Sequence, residues 1–416
     1  MDSFRAPPGT HDVLPPESER WKRLVGMFAR TVTCAGYGLV VSPMYEDVSV
    51  FERVGEGTDV VRKEMYDFED KGGRRIALRP EGTASVVRAY VQHRPTVPFK
   101  AWYAAPSFRY ERPQAGRYRQ HHQLGVEALG TDDPDLDVEI VALAWSFVGQ
   151  LGLTQVTLLL NSLGDAVCRP GYLDTLRSYL EDHNGELCDE HRTRAPENPL
   201  RVLDCKKDPC RAATAAAPQL VDHLCDECRQ HFESAQSGLK TLGVPFHIEP
   251  RLVRGLDYYT RTTFELQAEA LDTAQNGVGG GGRYDGLAES LGGPATPGIG
   301  FGFGIERLLL ACDGEGVFPA PERTVDVWVI DTTGGDPALT ITHELRGHGI
   351  RTDRSFGARS MKAQFKSADR SGARVAVVIG EREASEGTVT VRDLGSGEQT
   401  VVVRDGLVDC LNRMLE

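Results

Sequence analysis

The chain has 416 residues, 40% hydrophobic and 26% charged, which is the composition of a folded globular protein and excludes disorder, collagen and coiled coil as its main architecture. At roughly 150 residues per domain this length makes two or three domains, and with neither an 18-residue apolar run nor a basic-then-apolar leader in MDSFRAPPGTHDVLPPE, a cytoplasmic location is expected. Asp and Glu (60) outnumber Lys and Arg (47), so the net charge of −13 argues against a general nucleic-acid coat, and nine cysteines suit a reducing compartment better than a disulfide scaffold.

In chain order, Trp21, Leu24, Val25, Phe28 and Val32 fall at helical spacing and predict a helix over 17–33 that covers a sheet. YGLVVSPMYED reads as a strand interrupted by Pro43, which cannot donate to a ladder and suits an edge or an interface. Segments 99–111 and 122–130 read as a hairpin closed by a long basic loop, RPQAGRYRQ. Polar, helix-prone sequence from about 165 to 250 carries Cys188, Cys205, Cys210, Cys225 and Cys228 and reads as an inserted module. Two strand-like runs around a glycine-rich turn follow, then GIGFGFGIERLLLA. Beyond the Gly- and Pro-rich GEGVFPAPER, the strands VDVWVI, RVAVVIG, TVTVRD and QTVVV alternate with helical stretches, the rhythm of a separate α/β domain.

Three patterns carry chemistry. In GIGFGFGIER, apolar residues alternate with Gly300, Gly302 and Gly304, giving a strand with one packed face and one face of bare backbone against which a flat ligand can lie. Arg307 follows at a helix N-terminus, where backbone N–H groups and the helix dipole favour phosphate. In SFRYERPQAGRYRQHHQLGVEALG, Arg109 suits bidentate phosphate contact and Glu111 an exocyclic amine, while Gln123 and Glu127, four apart, face one side of a strand. Gly277 to Gly282 satisfies G-x-G-x-x-G, but without a βαβ context or an acidic residue about 20 positions on, a dinucleotide site and hence an NAD-dependent dehydrogenase is set aside.

An FRxE strand, a loop and a return strand, followed far downstream by an alternating-glycine strand ending in Glu-Arg, resemble motifs 2 and 3 of the class II aminoacyl-tRNA synthetases. RPEGT at 79–83, RGLDYYTRTTFE at 254–265, GGGGRYDGL at 279–287, PGTHDVLP near the start and SMKAQFKSADRSGARVAVVIGERE near the end resemble the histidyl-tRNA synthetases of bacterial type, over residues 5 to 405. The resemblance implies an α+β fold: a class II catalytic domain, mainly antiparallel sheet flanked by helices, over 1–164 and 251–316; a helical insertion over 165–250; and a C-terminal α/β anticodon-binding domain over 326–416. It implies a histidine–tRNA ligase that activates L-histidine with ATP, with Mg²⁺ on the β- and γ-phosphates, and passes the histidyl group to the 3′ end of tRNA(His) as a homodimer joined through motif 1, with no DNA or membrane partner.

By the same resemblance Arg254 and Arg109 are catalytic; Glu81, Gly82, Thr83, Gln123, Glu127, Tyr258, Tyr259 and Tyr284 bind histidine; and Arg109, Glu111, Gly304 and Arg307 bind ATP. Gln114, Arg117 and Arg119 are expected at the tRNA acceptor end. Eight Lys or Arg against two Asp between Arg346 and Arg374 make a stripe suited to RNA phosphates, in which Arg359, Lys362 and Lys366 are the anticodon-side candidates. The family's chemistry needs no zinc; Cys188, Cys205, Cys225 and Cys228, with Cys210 and His191 nearby, are candidate zinc ligands or reduced thiols. A regulatory paralogue that binds histidine without catalysis is the alternative; such chains typically lack the C-terminal domain and the ATP-binding arginines, both of which are present here.

Overall fold

The computed structural model describes residues 4–55, 60–253, 258–271, 276–357 and 359–416. Its contacts cluster into two units, one of Met1–Asp12 with Arg23–Pro319 and the other of Val13–Lys22 with Ala320–Glu416. The division falls within the Gly- and Pro-rich stretch GEGVFPAPER.

The first unit holds, in chain order, β1 (Gly38–Leu39), β2 (Tyr45–Asp47), β3 (Tyr66–Glu69), β4 (Arg75–Leu78), β5 (Phe99–Phe108), β6 (Gln120–Leu129), β7 (Val156–Ser162), β8 (His247–Ile248), β9 (Thr260–Ala268), β10 (Gly277–Arg283) and β11 (Gly298–Gly304). Eight of them form one sheet in the order β1-β5-β6-β11-β10-β9-β7-β8. Its six inner strands pair antiparallel, and a two-residue parallel strand closes each edge. The part of the helix Glu17–Cys34 that belongs to this unit, from Arg23 on, lays its apolar stripe on one face: Phe28, fully buried, meets Trp102, Phe147 and Phe301 at ring-centroid distances of 6.1, 5.0 and 6.2 Å. Phe147 comes from the helix Pro134–Gln150, which starts where Asp133 accepts from Asp135 N and Pro134 supplies a preset φ.

The segment YGLVVSPMYED is not one strand. Pro43 has no N–H to give a ladder, and the chain changes sheets there: β1 pairs with β5, while β2 pairs with β4 in a separate three-stranded sheet of order β2-β4-β3. Arg79 ties the two sheets together from a buried position, donating through Nε to Pro106 O and through Nη1 to Ser42 and Pro43 O. Between β7 and β8 the chain is helical, with long helices Arg169–Asp182 and Asp226–Thr241 and short ones at Asp189–Arg194, Leu200–Leu203 and Asp208–Ala213. This segment is anchored by a buried network in which Asp137 pairs with Arg283 at 2.7 Å and also meets His231 of Asp226–Thr241 and Thr262 of β9.

The second unit contains β12 (Val327–Asp331), β13 (Thr352–Arg354), β14 (Val375–Ile379), β15 (Thr388–Asp393) and β16 (Gln399–Val403), in the order β13-β12-β14-β15-β16. The first three run parallel and the last two antiparallel. Both faces are covered: Val327, Val329, Val375 and Val377 pack with Ile341, Leu345 and Leu411, while Trp328, Ile330 and Ala376 pack with Ala368. That explains the unbroken apolar runs VWVI at 327–330 and VAVVI at 375–379, whose side chains point into both cores.

Candidate active site

Two adjoining recesses sit over the middle of the large sheet, and the glycines of β11 divide them. In the β6–β11 register Gly300 lies opposite Glu127, Gly302 opposite Gly125 and Gly304 opposite Gln123. A Cβ at 300 would lie 2.0 Å from Glu127 Oε2 and 2.4 Å from Val126 O, so this glycine exists to seat the carboxylate. At Gly302 and Gly304 the nearest atoms to such a Cβ are 3.9 and 3.8 Å away, and the backbone there forms an open floor. The expected bare face is therefore bare only toward the end of the strand.

The first recess is a closed chamber around Glu127, which is 0% exposed. Its carboxylate accepts from Tyr284 OH at 2.5 Å, Thr83 Oγ1 at 2.7 Å and Tyr103 OH at 3.4 Å. Tyr103 is wedged over the glycines at 82 and 125, where a Cβ would come within 2.3 and 2.1 Å of its ring, and Tyr284 rests on Gly298 in the same way at 2.4 Å. Tyr258 stands beside Tyr259 and edge-on to Tyr284, with centroids 4.8 and 5.9 Å away. Burial raises the Glu127 carboxyl to about 8, against the opposing pull of its hydroxyl donors, so near neutral pH it holds its proton in a large fraction of molecules. Burial also lifts the phenols of Tyr103, Tyr258 and Tyr284 well above their ordinary value, keeping them neutral donors. Glu81 belongs to the same wall: it accepts from Thr83 N at 2.6 Å and Ala84 N at 2.9 Å, capping the helix Thr83–His93, with its carboxyl raised by burial.

The second recess is a cavity of about 250 Å³ lined by arginines, glycines and carboxylates. Arg109 is aimed by a hydrogen bond from Nε to Pro80 O at 2.9 Å. Arg307, third residue of the helix Ile305–Glu315, donates to Gly116 O at 3.1 Å and Gly277 O at 2.8 Å, bridging the basic loop and the glycine strand. The preceding Glu306 accepts from His122 N at 3.0 and 3.1 Å, which fixes the start of β6. His121 reports the potential inside: burial, then the charges of Arg109, His122 and Arg307, push its imidazole down to about 3, so it is neutral. Gln123 lines this cavity with its Oε1 accepting from Ser107 at 3.0 Å. Glu111 pairs with Arg117 and lies 4.0 Å from Arg109. The arrangement suits a polyanion carrying a flat group.

Of the residues singled out in the sequence, Glu81, Gly82, Thr83, Glu127, Tyr258, Tyr259 and Tyr284 converge on the chamber, and Arg109, Glu111, Gln123, Gly304 and Arg307 on the cavity. Arg254 lies outside the described residues. Gln114 is exposed at the tip of the basic loop, bridged to Arg117, whereas Arg119 lies over the Tyr110 ring at 4.1 Å and donates to Glu111 O. In the second unit, Arg346, Arg351 and Arg374 pair with Asp353, Asp326 and Asp393, and Arg354 covers Phe356. Arg359, Lys362 and Lys366 are exposed, the two lysines one turn apart on the helix Met361–Ser371. The four candidate zinc cysteines do not share a site: Cys188 and Cys205 gather with His191 and Cys210, Cys225 and Cys228 with Asp165 and Cys168. The cause is local, since Cys168 and Cys225 precede two long helices and Cys228 lies within the second, while Cys188, Cys205 and Cys210 flank or lie in the short ones.

Tyr103, His121 and Glu265 also belong to these recesses, although no sequence motif marks them as site residues. Tyr103 had a legible signal, an aromatic opposite Gly125 across the β5–β6 pair.

The profile of the family described as "Histidyl-tRNA synthetase" matches residues 9–308, and that of the "Anticodon binding domain" matches residues 325–414. A protein of Rhodococcus erythropolis described as "Histidine--tRNA ligase" is 49% identical over 420 residues, covering 100% of this chain and 99% of its own. One so described from Halothermothrix orenii is 46% identical, covering 99% of each. The crystal structure of apo histidyl-tRNA synthetase from S. aureus superposes with a TM-score of 0.83 at 36% identity, over 98% of this chain and 100% of that one.

Proposed function

We propose that this chain, which belongs to the histidyl-tRNA synthetase family, joins L-histidine to tRNA(His) in two steps: ATP and histidine give histidyl-adenylate and pyrophosphate, and the histidyl group then passes to the 3′-terminal ribose. The observation that carries this reading is Glu127, a carboxylate buried among phenols and adjoining an arginine-lined cavity. An imidazole N–H donating to Glu127 gives it a partner that an apolar side chain cannot, and a buried polar group left unmatched costs about 1–3 kcal/mol each, which is the basis of discrimination. Tyr258, Tyr259 and Tyr284 wall the ring, while Glu81 with Gln123 meets the α-ammonium and leaves the carboxylate toward the cavity.

In that cavity the attack of the carboxylate on the α-phosphate brings two anions together, so fixed positive charge is the main requirement. Arg109 and Arg307 supply it from opposite walls, each already oriented by a hydrogen bond to backbone, and the neutral His121 adds no competing proton. Arg254 is assigned the α-phosphate by family likeness. The adenine lies on the floor at Gly302 and Gly304 with its amine toward Glu111. Glu265, a carboxylate lining the cavity, would hold through water the Mg²⁺ expected to accompany ATP, an ion that would offset part of the phosphate charge.

The remaining assignments follow. Segments 1–164 and 251–316 form the catalytic domain, 165–250 the insertion and 326–416 the anticodon-binding domain. Gln114 with Arg117 and Arg119 meets the acceptor end, and Arg359, Lys362 and Lys366 meet the anticodon stem. A homodimer forms through the motif 1 edge, where Leu39, Val41, Met44 and Tyr45 leave large apolar side chains exposed. Among the described residues no helix is long and apolar enough to cross a membrane. The tRNA-charging reaction is assigned to the cytoplasm, where translation consumes its product. The test is ATP–pyrophosphate exchange with each of the twenty amino acids. Exchange with histidine alone is expected, and none with histidine, or equal rates with several amino acids, would end this reading.

A further inference from the structure

We propose that Cys188, His191, Cys205 and Cys210 bind one structural zinc ion. Their ligand atoms all lie within 4.8 Å of one another. His191 Nδ1 is 3.2 Å from Cys188 Sγ and 3.6 Å from Cys210 Sγ. In a zinc tetrahedron with Zn–S near 2.3 Å and Zn–N near 2.0 Å, neighbouring ligands stand about 3.5–3.8 Å apart, so small side-chain adjustments admit the ion. The spacing is C-x2-H-x13-C-x4-C, two close pairs separated by a longer run, which is the pattern of structural zinc sites with the histidine in the first pair. Cys188 N donates to Cys210 Sγ at 3.3 Å, the kind of outer contact that stabilises a thiolate ligand.

The surroundings give the ion a task. Asp189–Arg194, Leu200–Leu203 and Asp208–Ala213 are helices of six, four and six residues, far below the ~12–15 at which an isolated helix is even marginal. The apolar side chains buried among them are few, chiefly Leu187, Val202 and Leu203. Each of the three helices contributes or flanks a ligand: Cys188 precedes the first, His191 is within it, Cys205 follows the second and Cys210 is within the third. One ion therefore staples all three, with three thiol protons released to solvent as it binds. The staple reaches the catalytic side, because His191 and Cys205 line a second cavity of about 360 Å³ whose far wall is Arg109, Glu111 and Arg117.

The neighbouring cluster of Asp165, Cys168, Cys225 and Cys228 is different. Asp165 Oδ1 accepts from Val167 N and Cys168 N, and the Arg261 guanidinium stands 3.6 Å from its other oxygen, so a fixed cation already faces that carboxylate. No metal is assigned there, and the pair Cys225 and Cys228 serves as the internal control.

The full chain, purified under reducing conditions without chelator and offered one equivalent of zinc before desalting, is expected to hold about one zinc by elemental analysis. The C188S/C210S variant is expected to fall below a tenth of an equivalent, and C225S/C228S to keep its zinc. Zinc-edge X-ray absorption on the unmutated chain removes dependence on how the variants fold: three sulfurs at about 2.3 Å and one nitrogen at about 2.0 Å are expected. Less than a tenth of an equivalent in the unmutated chain, zinc that follows Cys225 and Cys228 instead, or an absorption spectrum with four sulfurs or with none overturns the proposal.

Discussion

The chamber around Glu127 and the cavity between Arg109 and Arg307 share one β-strand yet select their contents by opposite means. In the chamber Glu81, Tyr103, Glu127 and Tyr284 are buried and both carboxylates are hydrogen-bonded, the glycines at 82, 125, 298 and 300 let large side chains close in, and burial holds the Glu127 carboxyl near 8. In the cavity the glycines at 302 and 304 face open space, and fixed guanidinium charge does the selecting. The lesson is that one alternating-glycine strand builds two devices: a shape-and-hydrogen-bond filter that tolerates no added atom, and an electrostatic cradle that tolerates some.

The sharpest way to break the comparison is to add one methyl group to each device. Gly300→Ala drives a Cβ into Glu127 and is expected to lower histidine-dependent pyrophosphate exchange by at least ~1,000-fold. Gly302→Ala meets nothing closer than 3.9 Å, so it should keep its melting temperature and histidine KM while raising the ATP KM about tenfold. Equal losses in both variants would erase the distinction. On the cradle side alone, Arg307→Ala is expected to lower kcat/KM for ATP by about 100-fold, measured by exchange at saturating histidine, because it removes a fixed, preoriented positive charge from the cavity.

The closed chamber also predicts a pH signature. Glu127 keeps its proton up to about 8 in the folded chain, against an ordinary value of 4.5, so between those values the folded state binds more protons than the unfolded one. Its contribution is complete below about pH 4.5 and is lost as the pH rises through about 8, so stability without histidine falls across that window. Thermal melts from pH 5 to 8.5 on the unmutated chain and on Glu127→Gln should show a shallower decline in the variant; parallel curves would contradict the buried-acid picture. The smallest effect is expected far from both recesses: Lys362→Ala with Lys366→Ala should raise the tRNA KM a few-fold, more weakly at high salt, and leave pyrophosphate exchange unchanged.

The sequence was most legible where periodicity and chemistry agreed. The strand 298–304, the hairpin of β5 and β6 and the apolar strands of the second unit all follow from alternation or from unbroken β-branched runs. The helix predicted over 17–33 runs from Glu17 to Cys34. What was not legible depended on contacts between distant segments. β13 is a polar three-residue edge strand with no apolar pattern to reveal it. The change of sheets at Pro43 needs knowledge of which neighbours β1 and β2 find. The split of the cysteines into two clusters depends on how five helices pack, which spacing alone does not fix. For Tyr103 only the pairing with Gly125 across the β5–β6 hairpin is local; its contact with Gly82 brings in a separate stretch of chain.

The central claim is the division of labour between the two recesses, and the KM pair of Glu127→Gln tests it most directly. Amide for carboxylate keeps the shape but turns one acceptor oxygen into an N–H donor and removes the negative charge that favours the imidazole N–H, so pyrophosphate exchange should show the histidine KM raised by about 100-fold and the ATP KM changed by less than about threefold. A histidine KM that does not move, or histidine and ATP values that rise together, would contradict it.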